Sequence, residues 1–513
     1  MGGEENENQD NTLRIDVVEE DCVHQSTRDE EGIIESPRKK TKRNLSKRLR
    51  ENVSILPLFV TSFFIFSCQN LISANMSEIA EQFGMTSEQQ DLYFGGQIPF
   101  TFFVCGGVAA ISMGPVIDSQ PRISIFTMAA LLVGIPCFSI FFCTNYVQLY
   151  IFNSCIGIGI GMAIPVVMSI VADLFPVEER NLANALLAVL LSFGMGVGQM
   201  MSGFLGASIG WNYPFLILSL PVLAGAATTA AVAREPPRGR YSEDPPVPEA
   251  TAADCRAPFW AKYTLALSVP TNAIILIQAI IGCIPYGVST TYMIDYLHEE
   301  KGLSVQGATL IFVAYGMGYM CAGLWGGACG QFLQNNVGGS SVAIFIGCVT
   351  FSAALPWFYI LNGDLQSTVN KDVPSTAALI LSFIGGIGGA PGPNLRAIIM
   401  NVNPARQQGT MFSLYTVTDD MGKGLGPSAI ALFILKWGRR SVFNVAYSLM
   451  FISGSLQLCL ALHYDRDQKI LMLRESEYSA SLPSHSSHHG NNYTQEILET
   501  ASDEEREYIL QED

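Results

Sequence analysis

Apolar runs of about the length needed to cross a bilayer recur along most of this chain. Twelve can be recognised, each close to the ~20 residues that a helix needs to cross the hydrocarbon layer. They lie at 53–75, 92–113, 122–143, 147–173, 182–207, 212–233, 264–297, 306–333, 341–361, 375–400, 410–435 and 441–462. The pattern predicts an all-α integral membrane protein with twelve transmembrane helices, numbered here as spans 1 to 12.

Polar stretches divide these spans into two groups of six. The interval 234–262 contains the run Asp244-Pro-Pro-Val-Pro248, which is typical of a loop between domains. It therefore predicts two six-helix bundles, at 52–233 and 263–462. The flanking segments 1–51 and 463–513 are too polar to bury a core, and both are predicted to be disordered tails.

Composition supports the membrane assignment. The 513 residues are 49% hydrophobic and 14% charged, whereas a soluble protein is about 25% charged. The 12 cysteines are scattered without metal-ligand spacing, which favours small buried apolar residues. A His/Ser tract at 483–489 contains metal-ligating side chains, but such a tract in a tail is more often inert. No metal site and no cofactor are predicted.

The distribution of basic residues predicts the orientation. The basic block at 38–50 directly precedes span 1; this position favours a cytoplasmic, lipid-contacting flank over a nuclear signal or a nucleic-acid patch. Most Lys and Arg residues near span ends fall on the same side, which predicts both termini in the cytoplasm. Lys436, Arg439 and Arg440 are exceptions, because they fall on the opposite side.

Span 11 carries three ionisable residues near the middle of the bilayer. The run 410–435 makes a helix of roughly 39 Å, and Asp419 and Asp420 lie about 14 Å from one end. A charge at that depth costs roughly 3 kcal/mol and usually marks a functional site. Asp419 and Lys423 are four residues apart and share a helix face, while Asp420 is three residues from Lys423.

Lys423 neutralises one carboxylate, so the other stays unpaired unless it is protonated or meets Arg396. Two interpretations follow from this pattern. The carboxylates exchange a proton as access alternates between the two sides of the membrane, or the cluster is a locked ion pair that fixes helix packing. Gly422 and Gly426 would help such packing.

Other spans contain weaker polar groups. Span 10 has five glycines and two prolines within 385–396, which indicates either a broken helix that lines a substrate path or a simple hinge. Asn394 and Arg396 are its candidate cavity groups. Further candidates are Gln69 and Asn70 in span 1 and Asn272, Gln278 and Tyr286 in span 7. Amides at such positions bind substrate or bridge helices.

The turn after span 2 has Gly114, Asp118 and Arg122 at positions that resemble the loop signature of the major facilitator superfamily. That resemblance implies a gating role for the three residues and alternating access between two bundles. Three more segments resemble the superfamily's spinster-like branch: Ile170-Val-Ala-Asp-Leu-Phe-Pro176, the stretch 289–304 with Tyr292 and Asp295, and the glycine-rich run from Asp419.

The chain also departs from these patterns. Spinster-like proteins carry charged residues in spans 1 and 4 where this chain has Cys68, Gln69, Asn153 and Ile160. The N-terminal half therefore lacks the charges that are linked to coupling or substrate handling in that branch. The resemblance to the branch implies lysolipid or sphingolipid substrates, and these missing charges argue against them. In span 5, Gln199 follows Gly198, whereas the superfamily often has a Gly-Pro pair there.

Together these features predict a secondary active transporter of a small organic or amphipathic solute. Asp419 and Asp420 are the proton candidates, with Lys423 as their tuning partner. The alternative is a non-transporting receptor or scaffold with the same fold, whose tails bind other proteins. The chain shows no nucleophile elbow or metal set and no nucleotide-binding loop, which argues against an enzyme and against ATP-driven transport. The expected partners are the lipid bilayer and a small-molecule or lipid-like substrate, and not nucleic acid.

Overall fold

The computed structural model describes residues 53–175, 177–236, 267–365 and 373–481, and within these ranges most residues are helical. The α-helices of the N-terminal half are Leu56–Ser67, Met76–Gln82, Ser87–Gln90, Ile98–Ser119, Arg122–Ile140, Tyr146–Leu174, Val177–Met201, Ala207–Ile209 and Tyr213–Val232. Those of the C-terminal half are Pro270–Glu299, Val305–Asn336, Gly339–Asn362, Thr376–Gly385, Pro391–Val402, Ala405–Trp437, Arg439–Leu460 and Tyr464–Ser481. Short 3₁₀ segments cover Val53–Ile55, Ser73–Asn75 and Gly386–Gly389, and π-helical segments cover Asp91–Gln97 and Ser202–Gly206.

Ten helical segments of the described chain are long and apolar enough to cross a membrane. The remaining two predicted spans are exceptional for different reasons. Span 1 is interrupted after its helix Leu56–Ser67, and span 11, Ala405–Trp437, contains the three charged residues predicted to be functional. The predicted all-α membrane fold is confirmed, and the predicted order of the spans is retained.

The interruption of span 1 differs from the continuous span predicted at 53–75. After Ser67 the chain turns over 68–72 and resumes as a 3₁₀ segment at Ser73. Asn70 has a φ of 62° and is, within the described ranges, the one residue other than glycine with a positive φ. Asparagine tolerates this left-handed conformation better than most residues, so the break has a local cause that hydropathy does not reveal.

We call the end of the bundle at which spans 1 and 7 finish and spans 2 and 12 begin the outer end, and the opposite end the inner end. Neighbouring spans approach closely through glycines. A Cβ placed on Gly161 of span 4 would lie 2.1 Å from the carbonyl oxygen of Gly106 in span 2, so these backbones touch. Buried aromatic side chains fill the outer part of the C-terminal half, where Trp357 stacks on Tyr447 with 4.7 Å between ring centroids.

The helix Tyr464–Ser481 shows that the disordered tail predicted from residue 463 is wrong for these residues. Its first turn caps two transmembrane helices. The Asp467 carboxylate accepts hydrogen bonds from Thr271 N at 3.0 Å and Thr271 Oγ1 at 2.6 Å, at the start of span 7. Asp465 accepts bonds from Ser340 N at 3.1 and 3.2 Å, at the start of span 9. Carboxylates are favourable at helix N-termini, because the free N–H groups and the helix dipole are positive there.

This capping predicts that Asp467→Ala lowers the thermal unfolding temperature of the purified protein. The substitution leaves the N–H and hydroxyl of a fully buried Thr271 without their acceptor, which costs roughly 1–3 kcal/mol. The control is Lys469→Gln, an exposed position on the same helix. Equal unfolding temperatures for the two variants would contradict the capping role.

Candidate functional site

The centre of the candidate site is the charged cluster of span 11. Lys423 Nζ contacts Asp419 Oδ2 directly and lies 3.5 Å from Asp420 Oδ1. The side chains of Asp419, Asp420 and Lys423 are 21%, 24% and 22% exposed, respectively. The three side chains are thus held close together, and each remains partly exposed beside span 11.

Span 7 supplies the neighbours of this cluster. The Cys283 thiol donates a hydrogen bond of 2.7 Å to Asp419 Oδ1. The Tyr286 ring centroid lies 5.8 Å from Lys423 Nζ, within cation–π range. Asp419 therefore has two polar partners, whereas the contact that fixes Asp420 is the longer one to Lys423.

The glycines of the same run bring three helices together. A Cβ on Gly422 would lie 2.4 Å from the Ile280 carbonyl oxygen, and one on Gly426 would lie 2.9 Å from Ile284 Cγ1. Both glycines thus allow span 11 to pack on span 7. Gly424 lies on the face of span 11 that packs against span 2, because a Cβ at this position would lie 2.9 Å from Phe103 Cβ. The cluster is consequently positioned where the two halves of the chain meet.

The two candidates from span 10 are not in contact with the cluster. Arg396 is exposed and, within the described residues, forms no ion pair with Asp419 or Asp420. Asn394 is buried and donates hydrogen bonds to Gly326 O at 3.0 Å and to Ala390 O at 2.9 Å. Asn394 therefore joins spans 8 and 10, and this placement differs from the predicted cavity lining.

Two of the predicted cavity amides in span 7 also bridge helices. Asn272 and Asn403 exchange two side-chain hydrogen bonds, of 2.8 and 2.9 Å. Gln278 donates to Ser453 Oγ in span 12 at 3.0 Å. Both side chains are almost fully buried, so they lie between helices and not on an open cavity wall.

The polar residues of span 1 lie nearer to the outer end. Asn70 and Asn153 line a small cavity of about 30 Å³ that is also bounded by Thr290 and Thr291 of span 7. Gln69 is buried at 7% exposure, as are Cys68 and Ile160 at 2% and 5%. The positions where spinster-like proteins carry charges thus hold buried neutral side chains.

A second ionic cluster, not recognised from the sequence, joins the two halves at the outer end. Arg439, at the start of span 12, pairs with Asp91 at 2.7 Å and with Asp295 at 2.9 Å. Exposed fractions are 11% for the arginine, 7% for Asp91 and 2% for Asp295. Asp295 also accepts hydrogen bonds from Ser77 Oγ at 2.6 Å and Gln90 Nε2 at 3.0 Å. We call this set of five residues the outer latch.

Arg439 lies on the side of the membrane where the charge distribution predicts few basic residues, and its two buried partners explain that position. Asp91 and Asp295 are 204 residues apart in the sequence, and the fold brings both of them to Arg439. The sequence signal that could have identified the latch was the arginine on the unexpected side of the membrane.

A third ionic cluster lies at the inner end of the N-terminal half. Arg122 pairs with Asp173, at the end of span 4, and its Nε lies 2.7 Å from Glu235 Oε1 after span 6. Burial acts to raise the pKa of Glu235, but the bonds from Arg122 outweigh it and hold that pKa below its ordinary value. Gly114 and Asp118 lie in the last turns of the helix Ile98–Ser119, and the surroundings of both residues are outside what the structure describes.

Comparison with known proteins shows the family. The sequence profile of the Major Facilitator Superfamily matches residues 58–366 and 275–480 of this chain. The chain belongs to the major facilitator superfamily. The superfamily membership predicted from the turn after span 2 is therefore confirmed.

Similar superfamily members include transporters of several kinds. The transporter paaT of Penicillium rubens is 23% identical over 324 residues, which are 59% of this chain and 56% of that protein. The niacin transporter NiaP of Acinetobacter baylyi is 24% identical over 153 residues, 30% of this chain and 34% of that protein. The match thus spans just over half of the first relative and a third of the second.

Solved structures share the fold. The crystal structure of a bacterial homolog of the human lysosomal transporter Spinster, in an inward-facing and unoccupied conformation, has a TM-score of 0.59 and 18% identity. It covers 81% of this chain and 96% of that one. The D-xylose-proton symporter has a TM-score of 0.59 and 14% identity, covering 80% of this chain and 96% of that one.

The outer latch predicts that Arg439→Gln opens the outer end of this superfamily member. The substitution leaves two buried carboxylates without their cation, and breaking such a pair costs roughly 3–5 kcal/mol. Spin labels at Glu88→Cys and Glu299→Cys, at the outer ends of spans 2 and 7, should move apart in electron–electron distance measurements. The labels are placed in a background without native cysteines.

The control is Arg440→Gln, since the guanidinium Nε of Arg440 bonds Asn362 within the same half at 2.9 Å. The swap Asp91→Arg with Arg439→Asp should restore the short distance, because a cation then again lies beside Asp295. An unchanged distance in Arg439→Gln would show that the latch does not hold the outer end closed.

Proposed function

We propose that this protein is a secondary active transporter that moves a small organic or amphipathic solute by alternating access, with Asp420 as its proton-binding group. The observation that carries the proposal is the charge balance in span 11. Two carboxylates share one ammonium group, so one negative charge stays uncompensated when both carboxylates are ionised. Burying a net charge in the hydrocarbon is costly, and binding a proton removes that cost.

The geometry favours Asp420 over Asp419 as the proton acceptor. Asp419 contacts Lys423 and also accepts the thiol hydrogen bond from Cys283. Asp420 has the longer contact to the same ammonium group and a side chain that is 24% exposed. The uncompensated charge therefore belongs mainly to Asp420, where water can deliver a proton.

Alternating access requires an interface between the two halves that opens and closes. The proposed moving units are the bundles 52–233 and 263–462. The outer latch joins them through Asp91 of one half and Arg439 and Asp295 of the other. Latching at the outer end is compatible with the inward-facing conformation of the Spinster homolog that shares this fold.

The surroundings of the cluster favour a solute that combines an acidic group with an apolar or aromatic body. Arg396 provides positive charge on the C-terminal half outside the ion pairs of the cluster, and Tyr286 and Tyr319 form an aromatic pair beside Lys423, with 5.7 Å between ring centroids. Protonation of Asp420 leaves the cluster itself without a net charge that would repel an acidic solute. Among similar proteins are a niacin transporter and a 4-hydroxybenzoate transporter. The fold shared with the Spinster homolog and the spinster-like segments of the sequence add lysolipids as a second class to test.

The test begins with a thermal-shift screen of nicotinic acid, 4-hydroxybenzoate and lysophosphatidylcholine, because a ligand that binds the folded protein stabilises it. Uptake of each stabilising compound into proteoliposomes is then measured as a function of pH. The wild-type protein should transport at a pH-dependent rate. Asp420→Asn should abolish that dependence while the protein stays folded, because the amide cannot be protonated in this range.

Glu299→Gln is the control, since this exposed carboxylate at the end of span 7 is far along the chain from the cluster. Asp419→Asn should lower the rate itself by removing the partner of Lys423. Persistence of the wild-type pH dependence in Asp420→Asn would contradict the proton role. Binding of a compound without any uptake would favour the alternative, a receptor with a transporter fold.

A further inference from the structure

The interrupted part of span 1 faces span 5 across a small set of buried polar side chains. Ser73 and Asn75 come from the 3₁₀ segment of span 1, and Gln199 and Ser202 come from one face of span 5. Their exposed fractions are 5%, 3%, 3% and 0%, respectively. Buried polar atoms normally have hydrogen-bond partners, so each donor and acceptor in this set can be accounted for.

The two serine hydroxyl groups donate hydrogen bonds to backbone carbonyls of the interrupted span 1. Ser202 Oγ donates to Leu71 O at 2.5 Å, and Ser73 Oγ donates to Asn70 O at 2.9 Å. A hydroxyl has one hydrogen. Each hydroxyl oxygen can therefore only accept any further hydrogen bond.

The two amides donate to these same residues. Asn75 Nδ2 donates to Ser202 O at 2.9 Å and to Ser202 Oγ at 3.1 Å. Gln199 Nε2 donates to Ser73 Oγ at 3.3 Å. The orientation of Asn75 is fixed because a backbone carbonyl only accepts, and that of Gln199 is fixed because the Ser73 hydrogen is already used.

Two amide oxygens remain unpartnered. Asn75 Oδ1 and Gln199 Oε1 are buried and have no hydrogen-bond partner within the described residues. A buried acceptor without a partner costs about 1–3 kcal/mol. Two of them at the same helix contact, with the neighbouring donors already engaged, indicate a positively charged or hydrogen-donating occupant.

The backbone around these two amide oxygens also carries partial negative charge. The helix Leu56–Ser67 ends here, and a helix C-terminus carries partial negative charge on its free carbonyls. A Cβ on Gly198 would lie 1.9 Å from the Ser67 carbonyl oxygen, and one on Gly206 would lie 2.4 Å from Asn75 Nδ2. The two glycines thus allow span 5 to lie directly against the break, where any larger side chain would clash.

We propose that this break between spans 1 and 5 binds a monovalent cation of the size of Na⁺. Carbonyl, amide and hydroxyl oxygens are the ligands that hard cations prefer, and interrupted helices bind Na⁺ in this way in other transporter folds. A divalent ion would find no carboxylate among these four side chains to neutralise it. The amides cannot titrate, so the site differs in chemistry from the Asp420 cluster and does not rest on the proposed function.

The test measures the thermal unfolding temperature of the purified full-length protein in NaCl, KCl and choline chloride at equal ionic strength and without solute. We expect NaCl to raise it saturably, by at least ~2 °C, relative to choline chloride. Gln199→Leu should lose this rise, because it removes one of the two oxygens. Gln278→Leu should keep it, although Gln278 is also a buried glutamine with an unpartnered oxygen, because it lies in the uninterrupted helix Pro270–Glu299.

A second variant keeps the inference testable if Gln199→Leu does not fold. Gln199→Glu places a negative charge beside the proposed ion, so the rise with NaCl should become larger than in the wild-type protein. If water alone occupies the break, the buried Glu is expected to be protonated and the response to Na⁺ should not change. Equal unfolding temperatures of the wild-type protein in all three salts would overturn the proposal.

Discussion

A charged side chain inside a bilayer must meet an opposite charge or water, and this constraint accounts for the ionic clusters in the described part of the chain. Three clusters in the described residues have the same composition, one cation between two carboxylates. They are Arg122 with Asp173 and Glu235, Lys423 with Asp419 and Asp420, and Arg439 with Asp91 and Asp295. Their different surroundings determine what each can do. The first ties together elements of one half, the third crosses between the halves, and the second is partly open beside their contact.

The close packing of three helices places the cluster of Asp419, Asp420 and Lys423 at the contact between the two halves. Gly422 and Gly426 set span 11 against span 7, and Gly424 sets it against span 2 of the other half. A movement of one half relative to the other therefore changes the environment of Asp420 directly. The same movement must separate Asp91 from Arg439, because these residues belong to different halves. In the proposed mechanism, protonation of Asp420 and opening at the outer end are coupled by this movement.

Hydropathy predicted the order of the spans, because a stretch that crosses hydrocarbon must be predominantly apolar, but it did not reveal the break in span 1. The cluster of Asp419 and Lys423 was also predictable, since residues four apart on a helix are neighbours. The outer latch was not, because Asp91 and Arg439 are brought together only by the fold. The helix Tyr464–Ser481 was not predicted because it docks through Asp467 on the start of span 7, nearly 200 residues away in the sequence. Neither the Asp91–Arg439 pair nor the Asp467–Thr271 contact leaves a pattern in the local sequence.

The central claim is that solute movement is coupled to protons through the span 11 cluster. The most direct measurement loads proteoliposomes with a pH-sensitive dye and adds, without an imposed pH gradient, whichever of nicotinic acid, 4-hydroxybenzoate and lysophosphatidylcholine the uptake assay shows to be transported. Our account predicts a proton flux that starts with the compound's uptake and is absent in Asp420→Asn. Uptake by the wild-type protein without any accompanying proton flux would contradict it.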